Sequence, residues 1–311
     1  MTARVLAEAG FAKVSLVAAQ AEPDPDFPTV PFPNPEEAGA LDMAIEQARA
    51  EDADLIIAVD PDADRCALAV PDPHAEAEWT PLSGDQIGCL LGEFLASRGL
   101  RGSLANSIVS SRLLARIARS HGLEHHTTLT GFKWIARAPQ LAFGYEEAIG
   151  FCPNPSAARD KDGIASSVVA ASLFAALKTE GRTAWDELDR LAHAHGLHVT
   201  GPLTFRVEEI AQIATGMARL RAQPPSELAG SPVVEVSDLA EGYQGLPPTD
   251  GILVLTEAGD RVIARPSGTE PKLKCYLEVI LPAPEGEPVP WEAARERLEL
   301  IKREFGQIIG L

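Results

Sequence analysis

Sixteen residues, Leu55 to Val70, constrain this chain more than any others; they read LIIAVDPDADRCALAV. Leu55 to Val59 form a short, nearly continuous apolar run and Cys66 to Val70 form another, as expected of strands buried on both faces. Between them Asp60, Asp62 and Asp64 alternate with Pro61 and Ala63, and Arg65 follows. Alternation at period two would put the three carboxylates on one side. Close carboxylates repel one another, so a positive ion should sit among them. A hard divalent cation such as Mg²⁺ suits oxygen ligands of this kind and completes its shell with water and a substrate phosphate. Asp and Pro are also ordinary turn residues. A solvated turn between two buried strands, however, does not call for this much charge. Asp60, Asp62 and Asp64 are therefore the candidate metal ligands.

Composition narrows what such a loop could serve. The chain has 311 residues, 45% of them hydrophobic, enough for two or three domains with real cores. Its formal net charge of -18 argues against nucleic acid or an anionic membrane as the main partner, but leaves room for a local basic pocket that takes a small phosphorylated molecule. The 4 cysteines are far apart and each lies in or beside an apolar run, so buried thiols in a reducing compartment are expected. No apolar run is long enough to span a bilayer, and the N-terminus has no secretory pattern. A cytoplasmic location is the expectation.

Along the chain, Thr2 to Ala9 reads as a helix, Val14 to Val17 as a strand and residues 21–35 as a Pro-rich loop. Glu36 to Ala50 has helical spacing and leads into the acidic stretch. Ser83 is a plausible N-cap for a helix over Asp85 to Ser97. Ser103 to Val109 reads as a strand, Arg112 to Ser120 and Ile164 to Leu177 as helices. Alternating β and α to this point predicts two parallel-sheet units. After about His195 the character changes. Strands are expected at Leu203–Val207, Val233–Val236, Gly251–Leu255, Arg261–Ala264 and Leu273–Val279, and the tail, Trp291 to Ile309, reads as an amphipathic helix: a smaller α+β domain.

Three further stretches carry chemistry. RPSGTEPK, Arg265 to Lys272, offers two cations, the hydroxyls of Ser267 and Thr269, and Gly268 for close backbone approach, a set suited to a phosphate dianion. Glu146 and Glu147 could take charge-assisted hydrogen bonds from sugar hydroxyls, although adjacent glutamates are more often a solvated face. Thr130 and Gly131, with Lys133 two residues on, make a tight approach in TGFKWI. The histidines read as surface residues: His193, His195 and His198 have no completing zinc ligand nearby, and His125 and His126 fall in an expected loop.

Taken together and in order, DPDADR, TGFKWI, GYEEAIGF with DKDG, and RPSGTEPK resemble the phosphoglucomutase/phosphomannomutase family, the alpha-phosphohexomutases, and most of all its phosphoglucomutase and phosphopentomutase branch. The resemblance covers essentially the whole chain. It implies two phosphohexomutase-type α/β domains, the first truncated, followed by a smaller α+β C-terminal domain: a partial domain II over 1–74, domain III over 75–198 and domain IV over 199–311. It implies interconversion of glucose 1-phosphate and glucose 6-phosphate, or of pentose phosphates, through a sugar bisphosphate. Carried over by motif, Asp60, Asp62 and Asp64 would hold Mg²⁺ with Arg65 near the phosphoserine. Thr130, Gly131 and Lys133 would line the cleft, and Glu146 and Glu147 would hold sugar hydroxyls. Lys161 of DKDG matches the family's general base. Arg265, Ser267, Gly268, Thr269 and Lys272 would grip the phosphate that is not transferred.

Two departures bear on function. Where some members have Glu-Glu-Ser-Gly-His, this chain has Glu-Glu-Ala-Ile-Gly, which leaves the preferred sugar open. The family's Thr-Ala-Ser-His-Asn-Pro loop, which bears the phosphorylated serine, is not among these 311 residues. The expectation is therefore a mutase part with metal and substrate sites but no phosphoryl carrier, inactive alone and partnered by a phosphorylated sugar and a separate N-terminal domain. The alternative is a sugar-phosphate-binding remnant without turnover. A scaffold with protein contacts only would leave the cleft residues without a role.

Overall fold

The acidic stretch folds as a hairpin. The computed structural model, which describes residues 1–72, 78–267 and 271–310, pairs β1 (Ile56–Val59) antiparallel with β2 (Cys66–Pro71), with β3 (Trp79–Pro81) beyond. This sheet is antiparallel throughout, where a parallel unit was expected, because β1 and β2 are joined by a tight turn rather than by a crossover helix. β2 is buried from Cys66 to Val70 as expected, and only its last residue, Pro71, is exposed. In β1 only Ile56 is fully buried, because β1 is an edge strand. Ahead of it lie α1 (Thr2–Glu8) and α2 (Asp42–Glu51).

Contacts divide the chain into two compact units. Unit 1 comprises residues 1–107 and 114–188, and holds this sheet and a second one. α3 (Gly84–Ser97) opens the second half with a reciprocal cap. The Ser83 hydroxyl accepts from the Gln86 N–H, and the Gln86 side chain accepts from the Ser83 N–H. β4 (Ser103–Ser107), α4 (Leu113–Ser120), β5 (Glu124–Thr128), α5 (Phe132–Ile135), β6 (Leu141–Glu146) and β7 (Gly150–Cys152) follow. They build a sheet of order β5-β4-β6-β7, parallel except for the final hairpin. α6 (Gly163–Thr179) starts at Asp162, whose carboxylate accepts from the Ala165 N–H, and packs on β2 and β7. An anion there also suits the helix dipole.

Three more expectations fail within unit 1. The helix expected over Glu36–Ala50 begins only at Asp42. Val14–Val17 forms no strand. His125 and His126 lie on β5 rather than in a loop; the His125 ring meets the Asn106 side chain at 3.0 Å, and burial, with His126 adding, lowers its pKa to about 4.

Unit 2 comprises residues 108–113 and 189–311, so the boundary falls inside α7 (Ala184–His195). Its sheet runs β8 (Leu197–Arg206), β13 (Lys272–Leu281), β12 (Arg261–Pro266), β11 (Ile252–Thr256), β10 (Ser231–Asp238) and β9 (Glu227–Leu228), all antiparallel. α8 (Ile210–Ala222) and α9 (Trp291–Ile309) pack on it, and α9 buries Leu298, Ile301, Phe305 and Ile309 at helical spacing.

A buried carboxylate ties residues 108–113 into this unit. Glu278, 1% exposed, accepts from the Ser111 hydroxyl (2.9 Å), the Arg112 N–H (2.8 Å) and the Arg112 guanidinium (2.6 Å), with Arg261 at 3.2 Å. His198 faces it at 3.0 Å and is buried, contrary to the surface reading. Burial works to raise the Glu278 pKa, but Arg261, His198 and Arg112 hold it well below the usual carboxylate range. All four cysteines are buried and none is in a disulfide. Among the described residues no helix is long and apolar enough to cross a membrane.

Candidate functional site

The acidic turn closes tightly. The Ala63 N–H donates to the Asp60 carbonyl, and Ala63 takes φ 59°. The chain thereby reverses while Asp60, Asp62 and Asp64 stay on one rim, with a carboxylate oxygen from each lying within 4.8 Å of the others. Asp60 is 5% exposed, and both the Arg65 N–H (3.1 Å) and the Arg65 guanidinium (2.6 Å) donate to it. The turn rests on the start of α6: the Gly163 N–H donates to the Ala63 carbonyl, and a Cβ on Gly163 would lie 2.7 Å from that oxygen. Any side chain there would push the acidic turn away.

The donor set fits a hard cation. All three ligands are carboxylates, and their oxygens already lie within 4.8 Å of one another, the oxygen chemistry that Mg²⁺ prefers.

The turn of the second hairpin lies beside the first. Arg65 bridges to Gly150, and the Cys66 N–H donates to the Ile149 carbonyl. Gly150 has no side chain because two others occupy its space: a Cβ there would lie 2.5 Å from Lys161 Cδ and 3.0 Å from Glu146 Oε1. Lys161 Nζ pairs with Asp64 at 2.8 Å and with Asp160 at 3.7 Å, and sits 5.8 Å from the centre of the Phe132 ring. Burial works to lower the Lys161 pKa, but Asp64, Glu146 and Asp160 outweigh it and raise it. Lys161 is therefore held as an ammonium. Burial is also the main cause that pushes the Glu146 carboxyl up to about 7; Glu147 adds to this and Lys161 opposes it. Glu147 accepts from the Ser107 hydroxyl at 3.1 Å.

Unit 1 thus brings together the acidic turn, Arg65, Lys161 and Glu146, which are far apart in sequence. Thr130 and Gly131 lie just ahead of α5, and Lys133 on α5 is exposed. Sequence reasoning missed Phe132, Gly150 and Gly163, which place Lys161 and the turn; their only sequence signal was a glycine or an aromatic beside a charged motif.

In unit 2, Arg265 lies near the end of β12 opposite Lys274, and Lys272 opens β13. The Ser267 N–H donates to the Lys272 carbonyl. Gly268 and Thr269 lie outside the described residues.

These features define an α/β protein with paired hairpins whose turns gather a cation-accepting carboxylate set beside a lysine. Sequence comparison is more specific. The "Phosphoglucomutase/phosphomannomutase, alpha/beta/alpha domain II" matches residues 1–73, the domain III of that family residues 83–194 and its C-terminal domain residues 203–287. The chain belongs to the phosphoglucomutase/phosphomannomutase family. It is 45% identical over 277 residues to the "Probable phosphomannomutase" of Haemophilus influenzae, covering 88% of this chain and 56% of that protein. A phosphoglucomutase of Staphylococcus aureus is 35% identical over 302 residues (89% and 54%), and the mouse phosphopentomutase 32% over 326 residues (94% and 50%). The chain thus spans about half the length of these relatives. Among solved structures, the pp63/parafusin phosphoglucomutase of Paramecium superposes with a TM-score of 0.64 at 19% identity, covering 90% of this chain and 51% of that one. A family protein from Burkholderia thailandensis gives 0.60 at 18% (89% and 52%). These likenesses show the fold.

Proposed function

We propose that this chain forms the metal-, sugar- and phosphate-binding part of a phosphosugar mutase and acts with a phosphoserine-bearing segment that it does not itself contain. The observation that carries the reading is the convergence of Asp60, Asp62, Asp64, Arg65, Lys161 and Glu146 around two adjoining hairpin turns. Asp60, Asp62 and Asp64 would hold Mg²⁺, which, when bound, would draw charge from a transferring phosphoryl group. Arg65 neutralises Asp60 and keeps a guanidinium at the rim. Lys161 shares Asp64 with that site; as an ammonium it stabilises negative charge, and it can accept a proton only after the pairing with Asp64 is given up. Glu146, with a carboxyl that titrates near 7, can donate or accept a hydrogen bond with a sugar hydroxyl. Arg265, Ser267 and Lys272 would hold the phosphate that stays in place. The substrate could be a hexose or a pentose phosphate, and a sugar bisphosphate would prime the complete system.

The test has two arms. Calorimetry should show glucose 6-phosphate or ribose 5-phosphate binding more tightly than the free sugar; equal affinities would sink the phosphate assignment. The chain alone, with Mg²⁺ and a bisphosphate primer, should not convert glucose 1-phosphate to glucose 6-phosphate, since no group here can store the phosphoryl group while the sugar turns. Unaided turnover would mean that the carrier lies within these residues. If binding holds but no phosphoserine-bearing fragment added in trans restores turnover, the binding-remnant reading takes its place.

A further inference from the structure

The turn that carries Glu146 and Glu147 is strained. β6 ends at Glu146 and β7 begins at Gly150, and between them Ile149 takes φ 53°, in the left-handed region that a β-branched side chain rarely enters. Glu147 also repels Glu146. Such a backbone persists only where its surroundings impose it, and it gathers at functional sites. Restraint comes from two sides. On one, the Ile149 carbonyl accepts from the Cys66 N–H. On the other stands α3. A Cβ on Gly84 would lie 2.0 Å from the Glu147 carbonyl oxygen, so the first turn of α3 abuts the backbone of the strained turn.

Tyr145, the residue before the pair, joins α3 to that turn. It faces away from Glu146, as alternation along β6 requires, and it is fully buried. Its ring lies against Gly88 of α3, where a Cβ would sit 2.5 Å from the ring. Its hydroxyl ends a chain of hydrogen bonds whose direction is fixed. Burial lowers the His125 pKa to about 4, so that ring is neutral and carries one proton. Its Nε2 meets the Asn106 Oδ1 at 3.0 Å, and since that oxygen can only accept, the proton is on Nε2. The Asn106 amide nitrogen is then the donor toward the Tyr145 hydroxyl, whose own proton goes to Asp85 at 2.8 Å. Burial, with Asp85 adding, raises the Tyr145 pKa well above its ordinary value, so the phenol keeps that proton. The chain runs from β5 across β4 to β6 and ends on α3.

We propose that Tyr145 is a positioning residue: its hydroxyl, held between Asn106 and Asp85, fixes the strained turn so that Glu146 stands over Gly150 beside Lys161 while Glu147 rests on Ser107, ready for sugar hydroxyls. The inference rests on the reading of Glu146 and Glu147 as the sugar-binding pair. Ring packing alone would not do this work. Apolar contact is non-directional and lets a strand end shift along a helix, whereas a hydrogen bond is lost within a fraction of an ångström or a few tens of degrees. A fully partnered buried polar network specifies one arrangement, and this one is spent on the residue next to the two glutamates.

Tyr145→Phe and Asp85→Ala, made separately in the full chain, test it. The first keeps the ring and removes the donor; the second keeps the tyrosine and removes the acceptor, and it carries the test alone if the first does not fold. Two readouts separate positioning from mere stability. The Cys66 amide, which donates to the Ile149 carbonyl, should exchange at least about tenfold faster in either variant relative to amides in the middle of α6. Glucose 6-phosphate should bind about fivefold more weakly or worse, while inorganic phosphate, which engages neither glutamate, should stay within about twofold of wild type. In a Glu146→Gln, Glu147→Gln background the Tyr145→Phe loss should vanish, because the residue acts through that pair. The proposal is overturned if the Cys66 amide keeps its relative rate, if both ligands weaken together, or if the loss persists in the double-glutamine background. A wild type that binds glucose 6-phosphate no more tightly than inorganic phosphate is a separate failure, read before any variant is made: it removes the sugar role of Glu146 and Glu147, and with it the task assigned to Tyr145.

Discussion

Two carboxylates, the fully buried Glu278 in unit 2 and the half-buried Glu146 in unit 1, have opposite fates. Glu278 has more partners than it needs: two arginines, a histidine, a serine hydroxyl and a backbone N–H, so it stays ionised despite complete burial. Glu146 has Lys161 nearby, but Lys161 is already claimed by Asp64, and Glu147 adds repulsion. Its carboxyl is pushed up to about 7. A charge that only holds the fold is saturated with partners. A charge left short of them has capacity for something else, and perturbed groups of this kind gather at functional sites.

The sharpest way to break this comparison is to remove the saturated charge. Glu278→Gln leaves Arg112 and Arg261 around a neutral amide, and losing one member of a buried ion cluster costs about 3–5 kcal/mol. Urea unfolding should show that loss, and a change under about 1 kcal/mol would mean that the cluster holds nothing together.

Next comes pH. The folded-state pKa of Glu146 is raised above its ordinary value of 4.5, so the folded chain keeps a proton that the unfolded chain has released. Its contribution is complete below about pH 4.5 and is lost as pH rises through about 7, by roughly 3 kcal/mol in all. Glu278 has the opposite sign: its depressed pKa stabilises above the ordinary carboxylate range, and that stability is lost as pH falls below it. Stability curves of the wild type and Glu146→Gln should therefore converge at low pH and separate toward neutrality, with the variant the more stable. Parallel curves would show that Glu146 is ionised throughout.

Smaller effects should appear in binding. Arg265→Ala should weaken sugar-phosphate binding by ~1.5–3 kcal/mol, on the order of 10- to 150-fold, and leave free sugar unaffected. Calorimetry that finds both ligands equally weakened would assign Arg265 to the fold. The smallest change is expected for Asp62→Asn. The carboxylate is exposed, so the fold should not notice, but Mg²⁺ affinity, which should be weak and about millimolar in the chain alone, should fall by up to about tenfold. Unchanged Mg²⁺ affinity by titration would remove Asp62 from the ligand set.

Helices were legible where their ends are marked locally, although the one expected over Glu36–Ala50 begins only at Asp42. Trp291–Ile309 was read at both ends, and Ser83 announced α3 through a cap that lies within four consecutive residues. An α-helix closes its hydrogen bonds within its own segment, so local sequence suffices to mark it. The acidic turn was equally plain, since three aspartates between apolar runs are a local pattern. A strand is completed by a neighbour, and no local pattern reports whether the neighbour is there. Val14–Val17 has the apolar character of a strand and forms none, while Glu124–Thr128, polar enough to read as loop, is held as β5 by β4. His198 looked like a surface residue until β13 placed Glu278 beside it. The candidate site divides the same way. Its ligand types, Asp60, Asp62, Asp64, Lys161 and Glu146, were set by sequence. That Lys161 is an ammonium on Asp64, and that Glu146 titrates near neutrality, was decided only when tertiary packing brought residues some 80 to 100 positions apart around Gly150, because charge and burial act through space and not along the chain.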